Sequence, residues 1–454
     1  MDPASLAEDL EAEIAGVVTD GNAPSIQAAV VYQDQIIWSQ AFGENTSVNH
    51  GYMNASVQKM FTAVAVLQLA EQGLIDLDAD VQEYLPFPIR HPDYPETPIS
   101  VRMLLSQRSG MTDFPNQFEW DTACAFRQYR PRCPDQIVAM PIGEFLSASL
   151  RPDGGNYQPG IWGSEPGQSY YYSVSAFPML RYLVGLVSGL DYPEYMQANI
   201  FEPLGMEHSG FIADGSASLH TTPYTRINDQ NVELPLWNGQ GWMMHTTAED
   251  MAHFMGALMN DGQYNSYQLL ASESVALMQQ TTTSSWTLLR SGEDLVSNGF
   301  GLGLFSFRGG WFGFGGSAPG YQSLLRYHPE RQVGYVIMAN VNGILSSEYD
   351  SVREDIYHVQ DALVSILDPT LTLRSHALEM LLFSAAGLVW LVVMRKRAKL
   401  LASSGAVWIA FGAIWLLRDA PVVGMGLLIL GLISLAGGMI VWLNVRQRQA
   451  SRIS

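Results

Sequence analysis

The sequence has 454 residues, of which 47% are hydrophobic and 15% charged, and its formal net charge at pH 7 is −20. Residues 376–454 hold eight basic and two acidic side chains, which leaves residues 1–375 with 16 basic and 42 acidic side chains and a net charge of −26. A surface this acidic repels a phosphate backbone, which excludes nucleic acid as a partner. Because the chain is longer than one ordinary domain, we expect an acidic globular domain over residues 1–370 and an apolar region over residues 376–446.

Hydrophobic spacing in the globular domain predicts strands at both ends and helices between them. Two strands over residues 24–43 flank a turn at residues 33–35, and strand patterns return at 321–327 and 332–340. A capping-box pattern from Thr247 to Asp250 begins one of the helices. The predicted helices cover residues 58–73, 100–107, 176–189 and 246–260. This arrangement predicts an α/β domain whose antiparallel sheet joins its two ends.

The segment Ser56-Val57-Gln58-Lys59 lies at the start of the first predicted helix. Residues three apart on a helix share one face, and a serine in the first turn lies near the positive end of the helix dipole. Lys59 is the only lysine among residues 1–395. Because the domain avoids lysine elsewhere, we expect this amine to accept the proton of the Ser56 hydroxyl. The alternative is a lone solvated lysine.

Cys124 and Cys133 are the two cysteines of the chain, in a segment rich in Arg, Pro and Asp that predicts a loop. In an oxidising compartment this spacing predicts a disulfide that closes a small surface loop, and two unpaired thiols are the alternative. The sequence has no H-E-x-x-H motif and its nine histidines are scattered. We therefore expect neither a metal site nor a cofactor.

Three apolar runs follow the globular domain, and each is about long enough to cross a hydrocarbon core of roughly 30 Å at ~1.5 Å per residue. A soluble protein seldom has three such runs in succession. We expect three helices that anchor the protein in a lipid bilayer, with a buried helical hairpin as the alternative. The runs cover residues 378–394, 400–417 and 421–443.

Basic residues predict how these helices cross the membrane. The segments RKRAK, after the first run, and VRQRQASRIS, after the third, belong on the cytoplasmic side under the positive-inside rule. We therefore expect a multi-pass protein of the inner (cytoplasmic) membrane, with the acidic domain periplasmic or extracellular and the C-terminus cytoplasmic. An exported domain needs a signal, yet residues 1–18 are acidic and lack an apolar segment. Either the signal lies outside this numbering or the gene start is misplaced; a reverse anchor formed by the first run is the alternative.

Over residues 24–365 the chain resembles the class C β-lactamase and penicillin-binding-protein-like serine hydrolases. The resemblance rests on stretches in the family's order, among them NASVQKMFTAVAVLQLAEQGLIDLDADVQEYLP (54–86), SVRMLLSQRSGM (100–111), PGQSYYYSVSAFPMLRYLVGLVSG (166–189) and GFGGSAPGYQSLLRYHPERQVGYVIMAN (313–340). It implies a β-lactamase-like α/β fold, with an antiparallel sheet flanked by helices and an all-α subdomain, followed here by the three-helix transmembrane region.

The resemblance also implies roles for individual residues. Ser56 is the acylated nucleophile and Lys59 is its base partner. Tyr172 matches the tyrosine of the family's Y-x-N motif, which shuttles a proton to the leaving group. The asparagine of that motif is Val174 in this chain, so a side-chain amide that would contact substrate is missing.

The family's third motif, K/H-x-G on an edge strand, falls on Phe314-Gly315-Gly316. The two glycines suit a strand that a substrate backbone approaches closely. The backbone N–H of Ser317 would pair with that of Ser56 as an oxyanion hole. Phe314 replaces the family's Lys or His, so a polar donor near the carboxylate of the substrate is missing.

The retained nucleophile and the apolar replacements fit an amidase, peptidase or esterase better than an efficient β-lactamase. Domain order and span count resemble the membrane-anchored prodrug-activating peptidases, such as the colibactin-maturing peptidase, which remove an acylated D-amino acid in the periplasm. We expect a membrane-anchored serine hydrolase that acts through an acyl-enzyme on a small-molecule or peptide substrate, such as an acyl-D-amino-acid prodrug or a cell-wall-type peptide. The alternative is a non-catalytic binding protein of the same fold that holds cell-wall peptide or a partner. The oligomeric state stays open.

Overall fold

The computed structural model describes residues 23–114, 140–211, 220–236, 243–284 and 297–343, with parts of helices within 11–18 and 356–367. The chain divides into two compact units, Met1–Leu363 and Val364–Ser454. Strands β1 to β16 of the first unit are, in chain order, Ser25–Tyr32, Gln35–Gly43, Tyr52–Met53, Gly210–Phe211, Tyr224–Ile227, Gln230–Glu233, Met244–Thr246, Gln263–Tyr264, Tyr267–Gln268, Thr283–Ser284, Ser297–Phe300, Phe305–Phe307, Phe312–Ala318, Tyr321–His328, Val333–Ala339 and Val341–Gly343. Helices α1 to α8 of the same unit are Gln58–Glu71, Val101–Leu105, Ile142–Leu150, Ala176–Ser188, Tyr192–Met196, Glu202–Leu204, Ala248–Met259 and Ser272–Gln279.

An eight-stranded antiparallel sheet forms the centre of this unit, in the order β10-β11-β12-β13-β14-β15-β1-β2. Strand β1 pairs with β15 from Ile26–Ala339 to Tyr32–Val333, so the two ends of the domain are neighbours. Helix α7 covers β1, β2, β14 and β15, and β1 is buried along almost its whole length. The predicted antiparallel sheet that joins the ends of the domain is confirmed.

The predicted helices are confirmed within a few residues. Capping side chains begin two of them, and a glycine follows the last residue of a third. The Thr247 hydroxyl accepts a hydrogen bond from the Asp250 N–H at 3.1 Å, and α7 begins at the next residue, Ala248. Helix α4 ends at Gly189, whose φ of 74° is the left-handed conformation that glycine adopts most readily. Helix α2 begins after Ser100, whose hydroxyl accepts from the Met103 N–H at 3.2 Å.

Helix α1 packs among other helices, and the turn before it packs on β13 and β14. Its residues 58–69 are all buried, as expected for a helix that packs on every side. The Phe61 ring stacks on Phe254 of α7 at 3.7 Å between centroids, and α1 also packs against α4, which contacts α2, α3 and α5. The start of α1 therefore opens at the junction between the sheet and the helical layer.

The residues before α1 differ from the prediction in one respect. Ser56 lies in a short 3-10 turn, Ala55–Val57, and the α-helix begins at Gln58. This turn is tied to a three-stranded sheet of β3, β7 and β4: the Asn54 N–H donates to the Met244 carbonyl, and the Met244 N–H donates to the Gln58 side chain, each at 3.1 Å. A 3-10 turn also places residues three apart on one side, so the predicted facing of Ser56 and Lys59 is unchanged.

The remaining predictions concern segments that the structure does not describe. Cys124 and Cys133, and the apolar runs 378–394, 400–417 and 421–443, lie outside the described residues. Within the described residues, no helix combines the length and the apolar character needed to cross a membrane.

Candidate active site

A strained turn holds the candidate nucleophile where β13 meets the start of α1, the junction that we call the cleft. Ala55, the residue before Ser56, has a φ of +46°, a backbone conformation that residues with a Cβ rarely adopt. Strain of this kind costs on the order of 1–3 kcal/mol and persists only where neighbouring contacts impose it. Here the contacts of Asn54 and Gln58 with Met244 impose it from both sides of the turn.

Two proton-bearing groups converge on the Ser56 hydroxyl. The Lys59 Nζ donates to Ser56 Oγ at 3.0 Å, and the Tyr172 hydroxyl donates to the same oxygen at 2.9 Å. Tyr172 comes from a segment 116 residues further along the chain. The arrangement brings an amine and a phenol within hydrogen-bond distance of one hydroxyl, which is the geometry that nucleophilic catalysis requires.

Aromatic rings surround the lysine amine. The Nζ atom lies 5.0 Å from the ring centroid of Tyr172, 5.6 Å from that of Phe177 and 5.9 Å from that of Phe314. Lys59 is 3% exposed and Phe314 is 2% exposed. Phe314 also packs against Phe305 at 5.1 Å between centroids. The Phe314 ring therefore helps to cover the amine and to separate it from water.

The segment that carries Tyr172 is clamped by Gln107. The Gln107 side chain donates to the Ser173 carbonyl at 3.0 Å and accepts from the Ser173 N–H at 2.9 Å, so its amide group binds both polar groups of that residue's backbone. The Gln107 carbonyl accepts from the Tyr171 N–H at 2.9 Å. Gln107 itself has a φ of 60°. This residue fixes the backbone on which the phenol depends.

A carboxylate borders the cleft at Val174. The Val174 N–H donates to Asp113 Oδ1 at 2.6 Å, so Val174 contributes its backbone to this contact. Burial raises the pKa of Asp113 above its ordinary value, while the Val174 N–H and the charge of Lys59 act in the opposite direction. Asp113 therefore lies close enough to the candidate nucleophile's lysine for the two charges to interact.

Strand β13 packs directly on the Ser56 turn at Gly316. A Cβ atom added there would lie 2.5 Å from the Asn54 carbonyl oxygen and 3.0 Å from the Ser56 nitrogen, so no larger residue fits without a shift. A Cβ added at Gly315 would meet only Leu324, at an ordinary 3.7 Å, because alternate residues of a strand face opposite sides. The structure thus gives Gly316 a steric reason to be glycine.

The register of β13 fixes the direction of the Ser317 N–H. Ala318 pairs with Tyr321 across a two-residue turn, so Ser317 and Gln322 form the next, non-hydrogen-bonded pair. The Ser317 N–H consequently points away from β14. On that side β12 pairs with Phe312 and Gly313 among the described residues, which leaves the edge at Ser317 open to the cleft.

Residues 10–355 match the family described as Beta-lactamase. The chain belongs to the Beta-lactamase family, whose members include serine hydrolases. Protein flp of Staphylococcus aureus (strain N315) is 23% identical over 359 residues, covering 76% of this chain and 64% of the relative. The chain therefore spans less than two thirds of the length of the curated relatives that it matches.

Two solved structures have a fold similar to that of this chain. The octameric penicillin-binding protein homologue from Pyrococcus abyssi superposes with a TM-score of 0.64 at 20% identity, covering 80% of this chain and 77% of the homologue. The D-amino acid amidase from Ochrobactrum anthropi SV3 superposes with a TM-score of 0.59 at 19% identity, covering 79% and 98%. At these identities the likeness establishes the fold.

Two parts of this Beta-lactamase-family site were missed by the sequence reasoning. Gln107 lies within the family stretch SVRMLLSQRSGM and Asp113 lies two residues beyond it, but no role was predicted for either.

His220 and His245, distant in sequence, meet edge to face with 4.1 Å between ring centroids. Among the described residues, no three His, Cys, Asp or Glu side chains are gathered as metal ligands would be.

Proposed function

We propose that this protein is a serine hydrolase that forms an acyl-enzyme at Ser56 with an amide or peptide substrate. The observation that carries the proposal is the convergence of Lys59 Nζ and the Tyr172 hydroxyl on Ser56 Oγ, at 3.0 and 2.9 Å. Activation of a serine by an adjacent base is the requirement for such chemistry, because a free hydroxyl is a weak nucleophile.

In the proposed first step, Ser56 Oγ attacks the carbonyl carbon of the substrate and an uncharged Lys59 amine accepts the hydroxyl proton. The carbonyl oxygen becomes negatively charged and accepts hydrogen bonds from the N–H groups of Ser56 and Ser317. Tyr172 donates its phenol proton to the leaving nitrogen and regains one from Lys59 as the C–N bond breaks. Water then attacks the acyl-enzyme, its proton returns to Ser56 Oγ, and the carboxylic acid leaves.

The cleft favours an amide over a penicillin-type substrate. Phe314 occupies the position at which the family places a cation for the substrate's carboxylate, and its ring is buried against Phe305 and above Lys59. An acyl-D-amino-acid prodrug or a cell-wall-type peptide is the substrate class we propose. The likeness to the D-amino acid amidase from Ochrobactrum anthropi supports an amide of a D-amino acid.

Covalent labelling tests the nucleophile. A fluorophosphonate should modify wild-type protein at Ser56, as read by the mass of the Ser56 peptide, and Ser56→Ala should not be labelled. Ser173→Ala is the matched control, since Ser173 lies beside Tyr172 but points its hydroxyl to the Thr112 carbonyl. Wild-type protein that is never labelled would contradict the proposal. Labelling without turnover of any acyl-amino-acid amide would favour the non-catalytic binding protein.

We further propose that the protein is anchored in the inner membrane by residues 378–394, 400–417 and 421–443, with the catalytic domain periplasmic or extracellular. The support is the absence of charge in the last two runs and the basic segments beside them. After alkaline carbonate extraction, the full chain should stay with the membranes and a chain ending at residue 375 should not. A cysteine-reactive reagent that cannot cross the membrane should not reach a cysteine placed at Ser454; labelling there would contradict the orientation.

A further inference from the structure

Two imidazole rings from distant parts of the chain meet near the Ser56 turn. His245 lies on β7, His220 pairs with Gly51 in an isolated bridge, and the two ring centroids are 4.1 Å apart with their planes at 79°. Among the described residues, neither His245 Nδ1 nor His220 Nε2 has a hydrogen-bond partner, although both atoms are buried. Neutral rings can form such a contact, but a charged ring without an acceptor destabilises it.

The backbone around this histidine pair leaves the rings little room to turn away. A Cβ atom added at Gly51 would lie 2.9 Å from His220 Nδ1 and 3.1 Å from His245 Cδ2, so both rings rest directly on that backbone. A Cβ added at Gly210 of β4 would lie 3.3 Å from His245 Cε1. The Gly51 carbonyl accepts from the Thr221 N–H at 3.0 Å, which holds the segment beside His220 in place. A charge on either ring must therefore be relieved by movement of the strands.

One residue of β7 connects the histidine pair to the candidate nucleophile. Met244 precedes His245 on this strand. Its carbonyl accepts from the Asn54 N–H and its N–H donates to the Gln58 side chain, each at 3.1 Å. Its sulfur also accepts from the Asn54 side chain at 3.2 Å. Asn54 and Gln58 flank the Ser56 turn and impose its strained backbone, so a shift of β7 releases the turn.

Burial and mutual charge both oppose protonation of the pair. Burial, followed by the charge of His220, lowers the pKa of His245 from 6.5 to about 3. Burial, followed by the charge of His50, lowers the pKa of His220. The rings therefore stay neutral while the strands are in place. Below about pH 6.5 they take up protons where local unfolding exposes them to water.

The other titratable groups nearby do not balance a charge on the pair. Tyr52 of β3 shares its hydroxyl with two other hydroxyl groups. Asp250, near the start of α7, accepts from the Ser209 hydroxyl at 2.7 Å, and the adjacent Glu249 is exposed. Strand β4 has no titratable side chain. No ion pair of the described residues includes either ring of the pair or that of His50.

We propose that His220 and His245 are positioning residues for the Ser56 turn and that their protonation releases the turn, so that the hydrolase is switched off as pH falls. The inference rests on the proposed serine hydrolase function and adds regulation of the same site. With both rings neutral, Met244 holds the turn. Protonation of either ring favours local unfolding of β7, by up to about tenfold per pH unit for each imidazole, and the hold of Met244 is lost.

Hydrogen exchange, measured by mass spectrometry on the full chain, tests the release. The protection of the Asn54 and Met244 amides, corrected for the intrinsic rate, should fall by up to about tenfold per pH unit for each imidazole between about pH 7 and about pH 5. Amides of residues 62–69 in α1 report unfolding of the whole domain and should stay more strongly protected at every pH. That difference distinguishes local release from global unfolding.

Neutral replacements test whether the histidine pair causes the pH dependence. His220→Gln and His245→Gln should each remove part of it, and the double variant should remove it entirely, because glutamine does not titrate. His253→Gln is the control, since that ring packs against Tyr264 of β8, and it should keep the wild-type protection within about twofold.

Fluorophosphonate labelling at Ser56 gives the functional measurement. Protonation of Lys59 slows labelling in wild type and in the double variant alike, so the ratio of the two rates isolates the histidine pair. The double variant should label increasingly faster than wild type as pH falls from about 7 to about 5. A merely structural role for the two rings would change this ratio equally at every pH.

Two results would overturn the inference. The first is protection of the Asn54 and Met244 amides that is independent of pH in wild type, or equally dependent on pH in the glutamine variants. The second is a ratio of labelling rates that does not change with pH. If a glutamine variant does not fold, the wild-type exchange result decides alone. Failure of the hydrolase proposal is distinct, because wild-type Ser56 would then not be labelled at any pH while the exchange would still report the release.

Discussion

Replacing Gly316 by alanine tests whether β13 and the Ser56 turn form one catalytic unit. The added Cβ would lie 2.5 Å from the Asn54 carbonyl oxygen, 3.0 Å from the Ser56 nitrogen and in contact with the Ser323 hydroxyl. That hydroxyl donates to the Asn54 carbonyl at 2.7 Å and ties β14 to the same turn. Because two of the three neighbours are backbone atoms, neither can rotate away, and the strand and the turn must separate.

The size of the effect follows from these contacts. Ordinary non-bonded contacts need about 3.5 Å, so the two backbones must separate by roughly 0.5–1 Å. An oxyanion donor acts at about 2.7–3.1 Å, and losing one costs about 10²- to 10³-fold in kcat. Overpacking of this kind lowers the free energy of unfolding by about 1–3 kcal/mol, which corresponds to a fall of several degrees in Tm.

The assay is the rate of fluorophosphonate labelling at Ser56 together with Tm. Gly316→Ala should label at least 100-fold more slowly than wild type while remaining folded. Gly256→Ala in α7 is the control, since a Cβ added there meets no neighbouring atom within 4 Å, and it should label at the wild-type rate. Equal rates in Gly316→Ala and wild type would show that the position of β13 against the turn is irrelevant to acylation, which would refute the reasoning.

Two further predictions concern a proton carrier and a buried histidine. Tyr172→Phe keeps the ring that packs near Phe305 but removes the hydroxyl at 2.9 Å from Ser56 Oγ, and it should lower kcat by about 10²- to 10⁴-fold with little change in Tm; a smaller loss would assign the proton transfer to another group. Burial, followed by the charge of His220, lowers the pKa of His245 from 6.5 to about 3. The imidazole therefore takes up its proton only on unfolding, and the free energy of unfolding falls as pH decreases from 6.5 toward 3, by up to about 1.4 kcal/mol per pH unit. The fall in Tm between about pH 7 and about pH 5 should be smaller in His245→Gln than in wild type, and equal falls would contradict this assignment.

Elements that depend on local sequence were predictable in this chain. The turn between β1 and β2 lies at Gln33 and Asp34, both with positive φ, and apolar runs on either side predict the paired strands. The Thr247 cap and the Gly189 stop fix helix ends through contacts within four residues. The facing of Ser56 and Lys59 is likewise local, since it requires only that residues three apart lie on one side of a turn.

The roles of Gln107 and Asp113 could not be predicted in the same way. Gln107 contacts Ser173 across 66 positions, and Asp113 contacts Val174 across 61 positions. No periodicity links residues so far apart, and both are polar residues in a segment whose local pattern indicates only the end of a short helix and a loop. The positive φ of Ala55 was also beyond prediction, because the contacts of Asn54 with Met244 impose it from a strand 190 residues away.

Val174 and Phe314, the two apolar replacements that the family resemblance implies, contribute to the proposed site in different ways. Val174 acts through its N–H, which any residue except proline supplies, so the loss of the side-chain amide does not release the segment that carries Tyr172. Phe314 removes a cation but adds a ring 5.9 Å from Lys59 Nζ and 6.2 Å from the centre of the Tyr172 ring. The Lys59 amine beneath that ring is 3% exposed, so little water reaches it. In the proposed mechanism, therefore, substrate recognition changes at these two positions while the Ser56 hydroxyl keeps its contacts with Lys59 and Tyr172.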